Sequence, residues 1–148
     1  MSALSGIRRA SHIGLCVAEL DRSLAFYVDL LGFHKRDELQ VDGPLPSQLL
    51  GLPDVALHAV YLERDGIVIE LLHFTSPPTQ GRVPDHPMNT PGFTHLSLQA
   101  ENPATTLKDL RTADVPVLEE TVLTVSGTIV AFFILDPDGQ RIEITGVR

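Results

Sequence analysis

Two short segments of the sequence share their chemistry and their spacing. Residues 65–70 read DGIVIE and residues 138–143 read DGQRIE, so each segment places a glutamate four residues after a glycine and directly after an isoleucine. A carboxylate flanked by apolar strand residues is costly to bury unless another group pairs with its charge. Because Glu70 and Glu143 occupy matching places, they predict a shared partner, for which a metal ion is the simplest candidate.

A second pair of matching segments contains histidine. Residues 12–15 read HIGL and residues 95–98 read HLSL, and each histidine lies within a predicted strand, 10–18 or 93–100. A lone histidine on a strand is more often a hydrogen-bonded structural residue than a ligand. The repetition of histidine together with glutamate favours a ligand role for His12 and His95.

The composition is that of an acidic globular chain. The 148 residues are 43% hydrophobic, which is enough for one domain or for two small halves that share a core. The formal net charge of -8 argues against nucleic acid or an anionic membrane as partner, since both bind basic patches. The sequence contains one cysteine, no signal-peptide h-region and no apolar run long enough to span a membrane. These features favour a soluble, cytoplasmic protein.

Hydrophobic patterning predicts a strand, a helix and three further strands in the first half of the chain. The predicted elements are strand 10–18, a helix from an N-cap at Asp21 through Leu31 to a C-cap at Gly32, strand 33–41, a helical turn at 47–52, and strands 55–63 and 67–74. The Pro- and Gly-rich stretch 43–53 is an insertion that could form a flap beside the site. Gly66 is predicted to allow a tight turn between the last two strands.

The same order of elements returns in the second half. The predicted elements are strand 93–100, a helix through Pro103, Leu107 and Leu110, and strands 115–118, 122–125, 128–135 and 140–145. We therefore predict an α+β fold of two tandem βαβββ modules, residues 8–75 and 93–148, joined by a linker at 76–92 and related by internal duplication. Each sheet would have one face under its helix and one free face, and the free faces would line a cleft.

The sequence resembles the vicinal oxygen chelate superfamily over nearly its whole length. This superfamily includes glyoxalase I, methylmalonyl-CoA epimerase, extradiol dioxygenases and the fosfomycin and bleomycin resistance proteins. The resemblance is carried by the His and Glu positions, by the helix end FYVDLLGF at 26–33 and by DPDGQRIE at 136–143. It implies a cupped mixed sheet around a divalent metal, whose ligands would be His12, Glu70, His95 and Glu143. This ligand order is most similar to that of glyoxalase I and nearly as similar to that of the epimerases.

Two imidazoles and two carboxylates suit Zn, Ni, Co, Mn or Fe(II) and leave coordination positions open for a substrate. A small molecule with two adjacent oxygens could chelate there, and the cation would stabilise the enolate or enediolate formed when a proton leaves the carbon next to a carbonyl. Glu143, with Glu70 as second choice, is predicted to be the catalytic base. Return of the proton to the neighbouring carbon would give a glyoxalase I type reaction, and return to the opposite face would give an epimerase.

Two other functions stay open on the sequence. An extradiol-type ring-cleaving dioxygenase would use His12 or His95 together with Glu143. Glu70 would be a bystander, because the two histidines and one glutamate of that class leave the second ligand position empty. A non-catalytic ligand-binding or resistance protein would hold a drug or metabolite without chemistry. The complete set of four ligands, His12, Glu70, His95 and Glu143, leans against both.

Several further residues are candidates for supporting roles. His58 and Tyr61 lie on a predicted strand that borders the cleft, where each could assist a ligand or transfer protons instead of serving on the surface. Glutathione or CoA as substrate would require cationic groups, for which the candidates are Arg8, Arg9, Lys35, Arg36 and Arg82. The resemblance also implies a homodimer, in which the ligands come from one chain or from two.

Overall fold

The structure is a computed structural model in which residues 6–81 and 86–147 are described. The chain divides into two compact units, Met1–Gln80 and Gly81–Arg148. Each unit contains one four-stranded sheet. Arg82 and the remainder of segment 82–85, within the predicted linker, lie outside the described residues.

The first unit contains one mixed sheet and two short helices. Its elements are β1 (Ile13–Cys16), α1 (Leu20–Leu24) with a π-helical continuation (Ala25–Leu30), β2 (His34–Asp42), α2 (Pro44–Leu50), β3 (Ala56–Arg64) and β4 (Ile67–Ser76). The strand order is β1-β4-β3-β2, in which β1 is parallel to β4 and the other neighbours are antiparallel. The strand β4 therefore extends into the start of the predicted linker.

The second unit repeats this topology. Its elements are β5 (Leu96–Ala100), α3 (Pro103–Thr112), β6 (Val117–Val125), β7 (Thr128–Leu135) and β8 (Arg141–Gly146). The strand order is β5-β8-β7-β6, in which β5 is parallel to β8 and the other neighbours are antiparallel. The repeat confirms the predicted α+β fold of tandem βαβββ modules, with α2 as an addition in the first.

The helix after β1 differs from the prediction at its start and in its pitch. It begins at Leu20 after an N-cap at Glu19, so the predicted N-cap Asp21 lies inside it. Its second part is π-helical, and Leu31 N–H donates to Phe26 O at 3.0 Å. The wider turn shifts the apolar stripe. Tyr27 and Leu31 are buried, whereas Leu30 is 41% exposed.

Gly32 ends this helix as predicted, with a φ of 72°. A Cβ at this position would lie 3.1 Å from Nη1 of Arg64, whose guanidinium donates to the carbonyl of Leu31. Glycine therefore allows both the left-handed backbone and the close approach of the arginine.

The insertion in the first unit contains a short exposed helix. The helix α2 begins at Pro44, earlier than the predicted turn at 47–52, and Gly51 ends it with a φ of 66°. Leu45 and Leu49 are 78% and 84% exposed.

Among the described residues, none of the helices combines the length and the apolar composition that a membrane span requires.

Thr121 explains why the predicted strands 115–118 and 122–125 form the single strand β6. The register between β6 and β7 shifts after Leu118. At the shift Thr121 Oγ1 donates to Leu118 O at 2.6 Å and accepts a hydrogen bond from Phe133 N–H at 2.9 Å. This side chain replaces the interrupted backbone pairing, so the irregularity is a bulge and not a strand end.

Alternation along the strands separates each core from each polar face. In β4, Ile69 and Leu71 are buried on both sides of Glu70. In β8, Ile142 and Ile144 are buried on both sides of Glu143 in the same way. The helix α3 packs against β7 and β8. Both glutamates therefore lie on the sheet face opposite the buried aliphatic residues.

A hydrogen-bonded or tight turn precedes each of the two strands that contain a candidate glutamate, β4 and β8. Asp65 and Gly66 have φ values of 51° and 82° and form the tight turn that was predicted between β3 and β4, which contains two residues. Before β8, the buried carboxylate of Asp136 accepts hydrogen bonds from the N–H groups of Asp138 and Gln140 at 2.9 and 2.8 Å. These turns fix the residue at which each glutamate strand begins.

Replacement of Leu71 by Ala should lower the free energy of unfolding by about 2–5 kcal/mol, because a fully buried side chain would leave a cavity. The same change at exposed Leu49 should alter it by less than about 0.5 kcal/mol. Urea unfolding followed by circular dichroism would measure both. Equal stabilities for the two variants would contradict the assignment of Leu71 to the core.

Candidate functional site

Both candidate histidines lie directly before an edge strand and not within one. The strands begin at Ile13 and Leu96, so the predicted strands 10–18 and 93–100 were too long at their N-terminal ends. The side chains of His12 and His95 are 33% and 27% exposed. A position just before the first residue of a strand leaves each imidazole accessible, while the strand itself stays paired in the sheet.

In the first unit, His12 and Glu70 are brought together by the register of β1 and β4. Gly14 lies opposite Glu70 in this parallel pair. The Nε2 atom of His12 is 3.1 Å from Oε2 of Glu70, whose side chain is 14% exposed. The sequence predicted both residues as ligands of one metal ion, from the repeat and from the family resemblance.

In the second unit, His95 and Glu143 are brought together in the same manner. Ser97 lies opposite Glu143 in the parallel pair of β5 and β8. His95 Nε2 is 3.6 Å from Glu143 Oε2, and Ser97 Oγ donates a hydrogen bond to the same oxygen at 2.7 Å. Ser97 was not predicted as a partner of the carboxylate.

Each histidine also contacts the hydroxyl of the residue before it. His12 Nδ1 is 3.0 Å from Ser11 Oγ, and His95 Nδ1 is 2.8 Å from Thr94 Oγ1. When Nδ1–H donates to such a hydroxyl, Nε2 keeps its lone pair for another partner. The sequence analysis missed these residues, although a hydroxyl residue before each histidine is part of the repeat.

Tyr61 contacts both members of the first pair. Its hydroxyl donates to Glu70 Oε1 at 2.5 Å, and its ring meets the His12 ring edge-on with centroids 5.3 Å apart. The hydrogen bond to Glu70, followed by burial, raises the pKa of Tyr61 to about 12. The phenol is therefore a protonated donor at neutral pH. Phe133 makes the corresponding ring contact with His95, also at 5.3 Å.

The donor atoms of each pair have the separation expected of neighbouring metal ligands. Ligands about 2.0–2.2 Å from an ion, at angles of about 90–110°, lie about 2.8–3.6 Å apart. The observed N–O separations are 3.1 and 3.6 Å. No group of three or more His, Cys, Asp or Glu side chains that could hold a metal ion is found among the described residues. Each unit thus holds one imidazole nitrogen and one carboxylate oxygen at a spacing that two neighbouring metal ligands could have.

His58 does not lie beside the His12–Glu70 pair. It is three residues from Tyr61 on β3 and so occupies the opposite face of the sheet, where it contacts Glu38 Oε2 at 3.0 Å. That face contains a separate cleft of about 530 Å³, which His58 lines together with His73. The hypothesis that His58 assists a ligand or transfers protons at the predicted site is therefore wrong.

Two of the cationic side chains that could bind glutathione or CoA already form ion pairs at the surface. Lys35 Nζ is 2.7 Å from Glu38 Oε2, and Arg36 Nη1 is 3.2 Å from Glu63 Oε2. Binding of an anionic substrate group by either residue would have to compete with its carboxylate.

We expect replacement of Thr94 by Ala to weaken binding of Zn²⁺ about 10- to 100-fold, because loss of a residue that orients a ligand typically has an effect of that size. Thr94→Ser retains the hydroxyl and should bind like the wild type. Titration against a chromogenic chelator would measure both affinities. Equal weakening in the two variants would indicate a structural role for the threonine methyl group and not for its hydroxyl.

Comparisons with known proteins support the superfamily resemblance of the sequence over most of the chain. A model of the Glyoxalase/Bleomycin resistance protein/Dioxygenase superfamily matches residues 9–144. A Synechocystis sp. protein named "probable lactoylglutathione lyase" is 31% identical over 136 residues, covering 90% of this chain and 91% of that protein. An "iron-dependent extradiol dioxygenase" of Rhodococcus jostii is 33% identical over 100 residues, covering 67% of this chain but only 29% of that protein.

Among solved structures, a glyoxalase family protein from Bacillus cereus matches with a TM-score of 0.79 at 19% identity, over 97% of this chain and 98% of that chain. This likeness shows the fold. The family match spans all four candidate ligands, from His12 to Glu143. The chain belongs to the glyoxalase, bleomycin resistance protein and dioxygenase superfamily, as its sequence motifs indicated.

Proposed function

We propose that the protein is a divalent-metal-dependent lyase or isomerase that removes a proton from the carbon next to a carbonyl group. The proposal is carried by the duplicated His–Glu pair, whose N–O separations are 3.1 and 3.6 Å. His12, Glu70, His95 and Glu143 would hold the ion, either within one chain or between the chains of a homodimer. The name of the Synechocystis relative supports this class of reaction.

A divalent cation (Zn, Ni, Co, Mn or Fe(II)), when bound, supplies positive charge that stabilises the negative charge developing on substrate oxygens. The substrate class that fits is a small molecule with two adjacent oxygens, such as an α-hydroxy carbonyl compound. The chain itself must then provide a base at the reacting carbon and a route for returning the proton.

Glu143 is the better placed base of the two carboxylates. Its side chain is 27% exposed, compared with 14% for Glu70. It contacts Ser97 and His95 through Oε2, which leaves Oε1 for the substrate proton. Return of the proton to the neighbouring carbon completes a glyoxalase I type reaction, and return to the opposite face of the same carbon completes an epimerisation such as that of methylmalonyl-CoA.

A ring-cleaving dioxygenase is the second candidate function. The similarity to the Rhodococcus jostii dioxygenase favours it, although this chain spans less than a third of that protein. In this alternative His12 or His95 would act with Glu143, and Glu70 would have no part. The close contact between His12 and Glu70 supports the first proposal instead, because it matches the contact in the second unit.

Replacement of Glu143 by Gln should lower kcat about 10²- to 10⁴-fold, since an amide cannot accept the substrate proton. The matched control is Glu120→Gln, which changes an exposed glutamate of β6 and should leave kcat unchanged. The assay would use hemithioacetals and methylmalonyl-CoA as substrates. A Glu143→Gln enzyme with wild-type turnover would remove this residue from the mechanism.

Elemental analysis of protein purified without added metal is expected to find about one divalent ion per chain. Oxygen uptake with catechols separates the two candidate functions, because only the dioxygenase consumes oxygen. Rapid uptake by Fe(II)-loaded protein would reject the lyase or isomerase proposal in favour of ring cleavage.

A further inference from the structure

The two units differ at the residue opposite each glutamate on the neighbouring antiparallel strand. Tyr61 lies opposite Glu70, and Phe133 lies opposite Glu143. Both rings make the same edge contact with the histidine of their own unit, with centroids 5.3 Å apart. The ring contact therefore forms equally well without a hydroxyl. Packing does not account for the hydroxyl of Tyr61.

The units also differ at the residue opposite each glutamate on the parallel edge strand. Gly14 lies opposite Glu70, whereas Ser97 lies opposite Glu143 and donates to its Oε2 at 2.7 Å. A Cβ at Gly14 would lie 3.4 Å from Leu72 Cδ1 and 3.9 Å from Glu70 Oε2, which are ordinary contacts. A Cβ is therefore tolerated at Gly14, yet the first unit has no side chain there, and its carboxylate accepts a hydrogen bond from the phenol instead.

The result is that the two carboxylates are held differently. Glu70 is contacted at both oxygens, at Oε1 by Tyr61 and at Oε2 by His12. Among the described residues, Ser97 Oγ donates a hydrogen bond to Oε2 of Glu143, and His95 Nε2 lies 3.6 Å from the same oxygen, so both contacts are at one oxygen. Rotation of Glu70 would break its hydrogen bond from Tyr61 at Oε1, whereas Glu143 can turn about Oε2 and keep its hydrogen bond from Ser97.

We propose that Tyr61 is a positioning residue whose hydroxyl fixes Glu70 as the stationary carboxylate of the site and leaves Glu143 as the carboxylate that moves. This inference rests on the proposed function, in which one carboxylate must accept a proton and return it. The phenol acts through Glu70 and does not touch the substrate. The presence of tyrosine in one unit and phenylalanine in the other thus assigns different tasks to two otherwise equivalent glutamates.

The first test is Tyr61→Phe, which places in the first unit the residue that the second unit already has. Metal is removed from the full-length protein with a chelator, and Co²⁺ is titrated back against a competing dye. The variant should bind Co²⁺ about 10- to 100-fold more weakly and show a changed visible absorption spectrum, while its thermal unfolding midpoint stays unchanged. Wild-type affinity together with a wild-type spectrum would overturn the inference.

A rescue variant separates loss of the hydrogen bond from other effects of the change. Adding Gly14→Ser to Tyr61→Phe supplies a hydroxyl to Glu70 from the edge strand, in the arrangement that Ser97 has beside Glu143. The double variant should bind Co²⁺ about tenfold more tightly than Tyr61→Phe alone. No recovery would show that the missing hydrogen bond is not the cause, which would also overturn the inference.

The reciprocal change, Phe133→Tyr, stays informative if Tyr61→Phe does not fold. It places a phenol beside Glu143 and should lower kcat about 10- to 100-fold, with KM and Co²⁺ affinity near their wild-type values, because the moving carboxylate would be held at both oxygens. An unchanged kcat would count against the assignment of roles. A wild-type protein that binds no Co²⁺ would reject the proposed function together with this inference, whereas normal binding by wild type and Tyr61→Phe alike would reject only the inference.

Discussion

The parallel register between the first and last strands of each module decides where its polar residues lie. Gly14 lies opposite Glu70 and Ser97 lies opposite Glu143, and in both cases the preceding histidine is brought alongside the carboxylate. A slip of one residue would turn each glutamate toward the buried aliphatic side of its sheet, where an unpaired charge is strongly disfavoured. Core packing and site geometry are therefore two results of one constraint, and neither can change without the other.

Much of this arrangement could be predicted because its signals are local and occur twice. An Asp-Gly turn followed by an apolar strand places a glutamate at a fixed offset, and strand periodicity then assigns Glu70 and Glu143 to the polar face. The repetition turned two weak indications into a prediction of paired ligands. The histidines were placed on the correct strands but too far inside them, since the patterning does not show where edge-strand pairing begins.

The residues that distinguish the two modules depend on contacts between neighbouring strands, which local sequence patterns show only in part. Tyr61 lies opposite Glu70 because the two-residue turn at Asp65 and Gly66 fixes the pairing of β3 with β4. The turn therefore contained the information that selects Tyr61 over His58. No comparable local signal marks Thr121, whose side chain keeps β6 continuous through a bulge, or the π-helical turn that exposes Leu30.

Phe133 shows how a duplicated protein of this kind can diverge. Tyrosine and phenylalanine differ by one oxygen atom, and a single nucleotide substitution interconverts their codons. Because either ring packs against the neighbouring imidazole, such a substitution can add or remove a hydroxyl beside a carboxylate without disturbing the sheet. Gene duplication first produces two identical copies of such a module, and the smallest available mutation is enough to make one copy chemically unlike the other.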